Sequence, residues 1–241
     1  MFCASAPKYN PPPADQVLPK RFRLAVCLAL GLYGLWVGQD YIQGKLWEAN
    51  IHRVFATSDA NGNGINDTDD IIAGARQEVR HGPFYKSAYY EGGYPPASEG
   101  VCTDVVWRAL QHAGYNLKDL MDTDISRDVA AYPRTGGKPD PNIDFRRVPN
   151  QRAFFQRHAE VLTTDLILND ANNLAQWQPG DIVSFSNPDH VAILSTRRNA
   201  SGIPYLIHNQ GPRPREKDDF MNRRQNLNGH YRFPGSKKPG K

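Results

Sequence analysis

The sequence predicts an α+β fold, with helices first and an antiparallel sheet after them. Two observations carry this. Between residues 68 and 159 apolar side chains recur at helical spacing, as in Ile71, Ile72, Ala75 and Val79. From residue 160 onward they fall in short β-rich runs, such as Ile182-Val183-Ser184-Phe185 and Val191-Ala192-Ile193-Leu194, separated by turn residues. Helices followed by strands, without βαβ alternation, is the α+β order. A chain of 241 residues with 39% apolar content can bury one sizeable core. The formal charge of +4 comes partly from basic ends. No basic helix is interleaved with aromatics, so nucleic acid is not an expected partner.

The elements follow in order. Residues 1–20 are Pro-rich and read as a disordered cytoplasmic tail. Lys20-Arg21-Phe22-Arg23 then precedes an apolar run from Leu24 to Gly38. We expect a single transmembrane helix over 21–42, with its basic flank inside and the rest of the chain in the periplasm or outside the cell; a cleaved signal is the alternative. Residues 43–58 form an expected helical stalk, with Trp47, Ile51 and Phe55 at spacing four. A loop and helix occupy 59–80, with Asp67 or Thr68 as the N-cap. The expected catalytic domain runs from 81 to 235, and 236–241 is a tail. Within that domain, helices are predicted over 103–114, 116–126 and 151–159. Pro- and Gly-rich loops cover 81–100 and 132–150. Strands are predicted at 160–164, 181–186, 190–196, 204–209 and 229–233.

Residues 59–70 fit the pattern D-x-[DN]-x-[DN]-G followed by a final acidic residue. Asp59, Asn61 and Asn63 occupy the first three ligand positions, Ile65 offers its carbonyl, and Asp67 and Asp70 complete the set. Asp70 stands where the longer Glu is usual. A structural calcium ion joining stalk to domain is the expectation; an Asn/Gly-rich turn before a capped helix is the alternative.

Cys102 opens a predicted helix immediately after Gly100-Val101. A thiol there meets unpaired backbone N–H groups and the positive end of the helix dipole, which favour the thiolate. Cys3 and Cys27 precede the outer domain, so Cys102 has no internal disulfide partner. A Cys nucleophile needs a base and a group to orient that base. His190 begins one β-rich run and His208 ends another, and a hairpin between them can set the two rings side by side. A buried helix-start thiol with packing histidines is the alternative. Arg146 and Arg147, in the Pro-rich segment 139–150, are candidates for gripping a carboxylate on a peptide substrate; an internal polar network pinning the loop is the competing reading.

The ordered set Tyr89, Gly92-Gly93, Gly100-x-Cys102, Trp177-x-Pro179-Gly180-Asp181, His190-Val191-Ala192-Ile193 and Ile207-His208 resembles the NlpC-type papain-like cell-wall peptidases. More closely, residues 70–233 look like an uncharacterised bacterial family on that fold, through Gly100-Val101-Cys102-Thr103-Asp104, the segment 139–150 and Gly229-His230-Tyr231-Arg232. The resemblance implies a papain-like fold, Cys102 as nucleophile, His190 as base, His208 as the third polar residue and Tyr89 as a wall of the site. It also implies hydrolysis of amide bonds in peptidoglycan stem peptides or another peptide substrate, with no cofactor for catalysis. Thr103-Asp104 departs from the Ser-Gly usual in that superfamily, and the connection between the two histidines is longer than its usual hairpin. A catalytically silent cell-wall-binding module and a calcium-stabilised interaction protein are the other function classes.

Overall fold

A six-stranded antiparallel sheet organises the larger part of the chain in the computed structural model, which describes residues 20–235. The expected tails over 1–19 and 236–241 lie outside the described residues. The chain divides after Tyr41 into two units.

The first helix, α1, spans Lys20–Asn50. Among the described residues no helix is long and apolar enough to cross a membrane. The expected transmembrane helix is therefore corrected. The apolar run is bounded by Arg23 and by Gln39-Asp40, and at about 15 residues it falls short of the roughly 20 that a span requires.

Residues from Ile42 onward, the expected stalk among them, belong to the second unit. The Trp47 indole donates to the Ala200 carbonyl at 3.2 Å and lies against Gly202, where an added Cβ would come within 2.7 Å of the ring. The helix ends at Asn50, Ile51 is buried, and the backbone then runs without regular structure to Asn66. Gln178 holds this stretch, donating to the His52 carbonyl and accepting the Val54 N–H.

Helix α2 spans Asp67–His81 and α3 spans Cys102–His112. The N-cap of α2 is Asn66, one residue before the position expected, and its side chain accepts the Asp69 N–H. The two helices pack closely at Gly74, where a Cβ would lie 2.6 Å from that of His112. Two short strands, β1 (Phe84–Tyr85) and β2 (Glu99–Gly100), pair in parallel and lead into α3. Helices α4 (Leu117–Arg127) and α5 (Val148–His158) follow, then β3 (Glu160–Val161) and a single turn, α6 (Ala171–Leu174). The remaining strands are β4 (Ile182–Phe185), β5 (His190–Arg198), β6 (Pro204–His208), β7 (Arg215–Lys217) and β8 (Leu227–Arg232), with the short α7 (Phe220–Arg223) before the last. The sheet order is β3-β8-β4-β5-β6-β7.

Side chains alternate across a strand, and here both faces are covered. Ile182, Val191, Ile193, Ile207 and Tyr231 pack with α3 residues, including Cys102, Val105 and Val106. Val183, Phe185, Ala192, Leu194 and Leu206 pack on the other side with Trp177 and Phe220. Two-sided burial explains why β4 and β5 read as continuous apolar runs.

The Pro179-Gly180-Asp181 turn and β8 are fastened to each other. Asp181 accepts two hydrogen bonds from Arg232, at 2.8 and 2.9 Å, and lies 2.9 Å from His230 Nε2. The His230 ring stacks on Trp177 with centroids 4.1 Å apart. These recurring marks of the sequence thus pin the far side of the sheet.

Candidate active site

Cys102 is the first residue of α3, and an acidic network holds that helix start in place. Asp104 accepts the Val101 N–H at 2.7 Å, closing the first turn. The same carboxylate accepts the Trp107 indole N–H at 2.7 Å and a bidentate pair from Arg146 at 2.7 and 2.8 Å. Asp104 and Arg146 are both buried. Thr103 donates its hydroxyl to the Arg146 carbonyl at 3.0 Å. The Thr103-Asp104 pair is therefore the clamp between α3 and the loop 132–150.

This corrects the substrate-binding expectation for Arg146, whose guanidinium is consumed by Asp104 and the Ala88 carbonyl. Arg147 is committed as well, to the Arg134 carbonyl and to Asp144 at 3.3 Å. Tyr89 is exposed and contacts Asp140 and Asn142. Tyr85 lies nearer the thiol. It pairs across β1–β2 with Gly100, and its hydroxyl is pushed up by burial and by the proximity of Cys102 and Asp104.

The thiol itself is buried. Burial pushes it up to about 11, and Asp104 adds to the shift; N–H bonds from Val191, Thr103 and Cys102 itself pull the other way and lose. The expectation of a helix-start thiolate is thus corrected, because loss of solvation outweighs the helix terminus.

The sheet explains how the sulphur reaches Val191. Pairing of β5 with β6 runs to Ile193–Ile207 and continues no further toward His190. At that opening the Val191 N–H turns to the sulphur. His190 is the next residue along β5. By strand alternation it projects to the opposite face from Val191, beside Phe185, with ring centroids 6.3 Å apart.

His190 and His208 meet on that face, Nε2 to Nδ1 at 2.8 Å. His208 Nε2 lies 3.8 Å from Asp219, whose carboxylate is held by Arg223 at 3.0 Å and Asn222 at 2.8 Å. Burial lowers His190 to about 3, with His208 and Arg223 adding to the effect. It lowers His208 to about 4, helped by Arg223 and opposed by Asp219. Both rings are neutral at pH 7. Among the described residues no hydrogen bond joins the sulphur to either ring.

Sequence reasoning missed Tyr85 and Asp219. Asn209 is buried and donates to the Gly100 carbonyl at 3.1 Å, tying the end of β6 to the nucleophile loop. Its place directly after His208 was the available signal.

The calcium-loop residues separate into two groups. Asp59 gathers the N–H groups of Asn63 and Gly64, and the amides of Asn61 and Asn63 converge on Asp70 at 2.8 to 3.3 Å. The Ile65 side chain is exposed. Asp67 is buried and occupied by Ser58, the Ala60 N–H and Tyr115, which corrects its place among the ligands. Among the described residues no group of three or more His, Cys, Asp or Glu side chains is placed to hold a metal ion.

The chain is 38% identical over 172 residues to the Uncharacterized protein YijF of Escherichia coli (strain K12), covering 68% of this chain and 80% of that protein. Residues 72–233, which contain Cys102, the histidine pair and Asp219, match the Domain of unknown function (DUF1287). The chain belongs to the DUF1287 family.

Proposed function

We propose that the protein is a papain-like cysteine hydrolase of amide bonds, acting on peptidoglycan stem peptides outside the cytoplasm. The observation that supports this most is the join at β5. Cys102, at a helix start, takes the N–H of the residue that follows His190, and His190 is itself held at 2.8 Å by His208.

A buried thiol at about 11 and a neutral imidazole call for proton transfer during attack. For His190 to take the thiol proton through Nδ1, the nitrogen that His208 leaves open, the start of β5 must turn that ring toward the sulphur; sulphur then attacks the carbonyl as the proton moves. The Cys102 N–H bonds the developing oxyanion. His190 returns the proton to the leaving amine, and water then hydrolyses the thioester to carboxylate and free thiol. No hydrogen bond joins the sulphur to either ring without substrate, so substrate binding must bring the thiol and His190 together.

The test is mass spectrometry of peptidoglycan digested by the full chain and by Cys102→Ala. The wild type is expected to release new amine and carboxylate ends, and Cys102→Ala none. Equal release by both contradicts the reading. A silent binding module is the second reading, favoured by the burial and protonation of Cys102. It predicts peptidoglycan binding without turnover in both proteins.

We also propose a structural calcium ion in the loop 59–70, held by Asp59, Asn61, Asn63, the Ile65 carbonyl and Asp70, with water in place of Asp67. Support comes from the proximity of Asn61 and Asn63 to Asp70; their amides donate N–H to that carboxylate here and would turn their oxygens to the ion. Calcium is expected to raise the Tm of the wild type but not of Asp59→Ala. An identical wild-type Tm in calcium and in chelator contradicts it.

A further inference from the structure

We propose that Asp219 is a positioning residue that fixes the tautomers of both imidazoles, and so leaves His190 Nδ1 free to act as the base. The proposal deepens the hydrolase reading and rests on it for its catalytic consequence.

A neutral imidazole carries one N–H and one lone pair, so a chain of two rings has a direction. His190 Nε2 and His208 Nδ1 are 2.8 Å apart, and exactly one of them can carry the shared proton while both rings are neutral. The direction is set at the far end of the chain, where His208 Nε2 faces the Asp219 carboxylate at 3.8 Å. A carboxylate only accepts. At 3.8 Å the carboxylate acts through its charge rather than a hydrogen bond, and that negative charge favours the proton on the facing nitrogen, His208 Nε2, which leaves Nδ1 as a lone pair. That lone pair accepts the N–H of His190 Nε2. The lone pair of His190 is then on Nδ1. Reversal of the chain would put a proton on His190 Nδ1 and remove the base.

The surroundings of Asp219 suit orientation better than proton uptake. Although its own burial opposes ionisation, bonds from Asn222 and Arg223 hold Asp219 below the usual carboxylate range. Lys217 lies 3.7 Å away. Arg223 and Lys217 disfavour charge on His208, and only Asp219 favours it, so His208 stays neutral while its N–H is directed. Asp219 precedes Phe220, which is fully buried against Trp177 and Phe185. The carboxylate thus stands on an anchored turn. It also lines a cavity of about 350 Å³ with Gln210, Asn222 and Arg223, through which water has access.

Nitrogen-15 NMR of the full-length protein at neutral pH reads the tautomers directly, with no need of turnover. In the wild type, His190 is expected to be protonated on Nε2 and bare on Nδ1, and His208 likewise. Asp219→Asn presents an amide that can donate, so the chain is expected to reverse, placing the His190 proton on Nδ1. Asp219→Glu is expected to restore the wild-type pattern. If Asp219→Asn does not fold, Asp219→Ala is read instead, with mixed tautomers expected. A wild-type His190 protonated on Nδ1, or tautomers unchanged in the folded Asn or Ala variant, overturns the proposal. Wherever wild-type hydrolysis is measurable, Asp219→Asn is expected to lower kcat by on the order of 10²-fold or more with a smaller change in KM. Absence of hydrolysis with the predicted tautomers would sink the hydrolase reading and leave the role of Asp219 standing.

Discussion

The chemistry at Cys102 is governed by desolvation. A thiol held at about 11 carries roughly 100-fold less thiolate at neutral pH than one at its ordinary value of 9.0. Iodoacetamide should therefore label Cys102 slowly at pH 7, with the rate climbing steeply until about pH 11; a plateau near pH 8 would contradict this. The histidines give a separate signature. Their folded values, about 3 and about 4, lie below the ordinary 6.5. The unfolded chain therefore binds more protons below pH 6.5, and stability falls as pH drops through that range. With both rings contributing below pH 6.5, the slope should be steeper than a single histidine gives. His208→Gln should flatten it, as read by urea unfolding at several pH values. Cys102, His190 and His208 were legible because residue type and place along the chain announce them. The thiol's protonation state was not, since a helix start favours thiolate and only the packing of Val105, Val191 and Ile193 around it reverses the outcome.

At the scale of elements, the N-terminus of α3 depends on a loop far away in sequence. Arg146 and Asp104 form a buried bidentate pair, and losing one partner leaves the other charged and unsolvated. Arg146→Ala is expected to destabilise the protein by roughly 3–5 kcal/mol. A change below 1 kcal/mol in denaturant unfolding would show that the clamp is dispensable. Strand and helix positions in the second half were readable from apolar runs and turn residues. The role of the segment 139–150 was not, because Arg beside Pro, Asp and Asn describes a ligand grip and an internal pin equally well. Only the positions of Asp104 and Ala88 decide it. Asp219 escaped notice for a similar reason: it stands before α7 while its partner His208 ends β6, and the four-residue α7 is too short to leave a periodic signal.

For the whole molecule, the segment before the loop 59–70 is part of the folded unit from residue 42 onward. Trp47 closes on Gly202 and Ala200 in the turn between β5 and β6, and Gln178 ties down residues 52–54. Trp47 is half-buried, so Trp47→Ala is expected to cost about 1–2 kcal/mol, less than the loss of a fully buried aromatic. A chain beginning at residue 42 should melt close to the full-length protein, whereas one beginning at residue 59 should melt well below it. Equal melting temperatures would restore the picture of a separate stalk. The helix at 43–50 was readable from its spacing, but docking was not, since Trp47 and Ile51 mark an apolar stripe without naming what covers it.

The central claim is that Cys102 forms a covalent intermediate during amide hydrolysis. Rapid quenching of the full-length protein with peptidoglycan fragments, followed by peptide mapping, tests it most directly. The account predicts a thioester-bound stem-peptide fragment on the peptide containing Cys102, absent in Cys102→Ala. Hydrolysis that proceeds equally in Cys102→Ala, with no adduct on the wild-type cysteine, would contradict it.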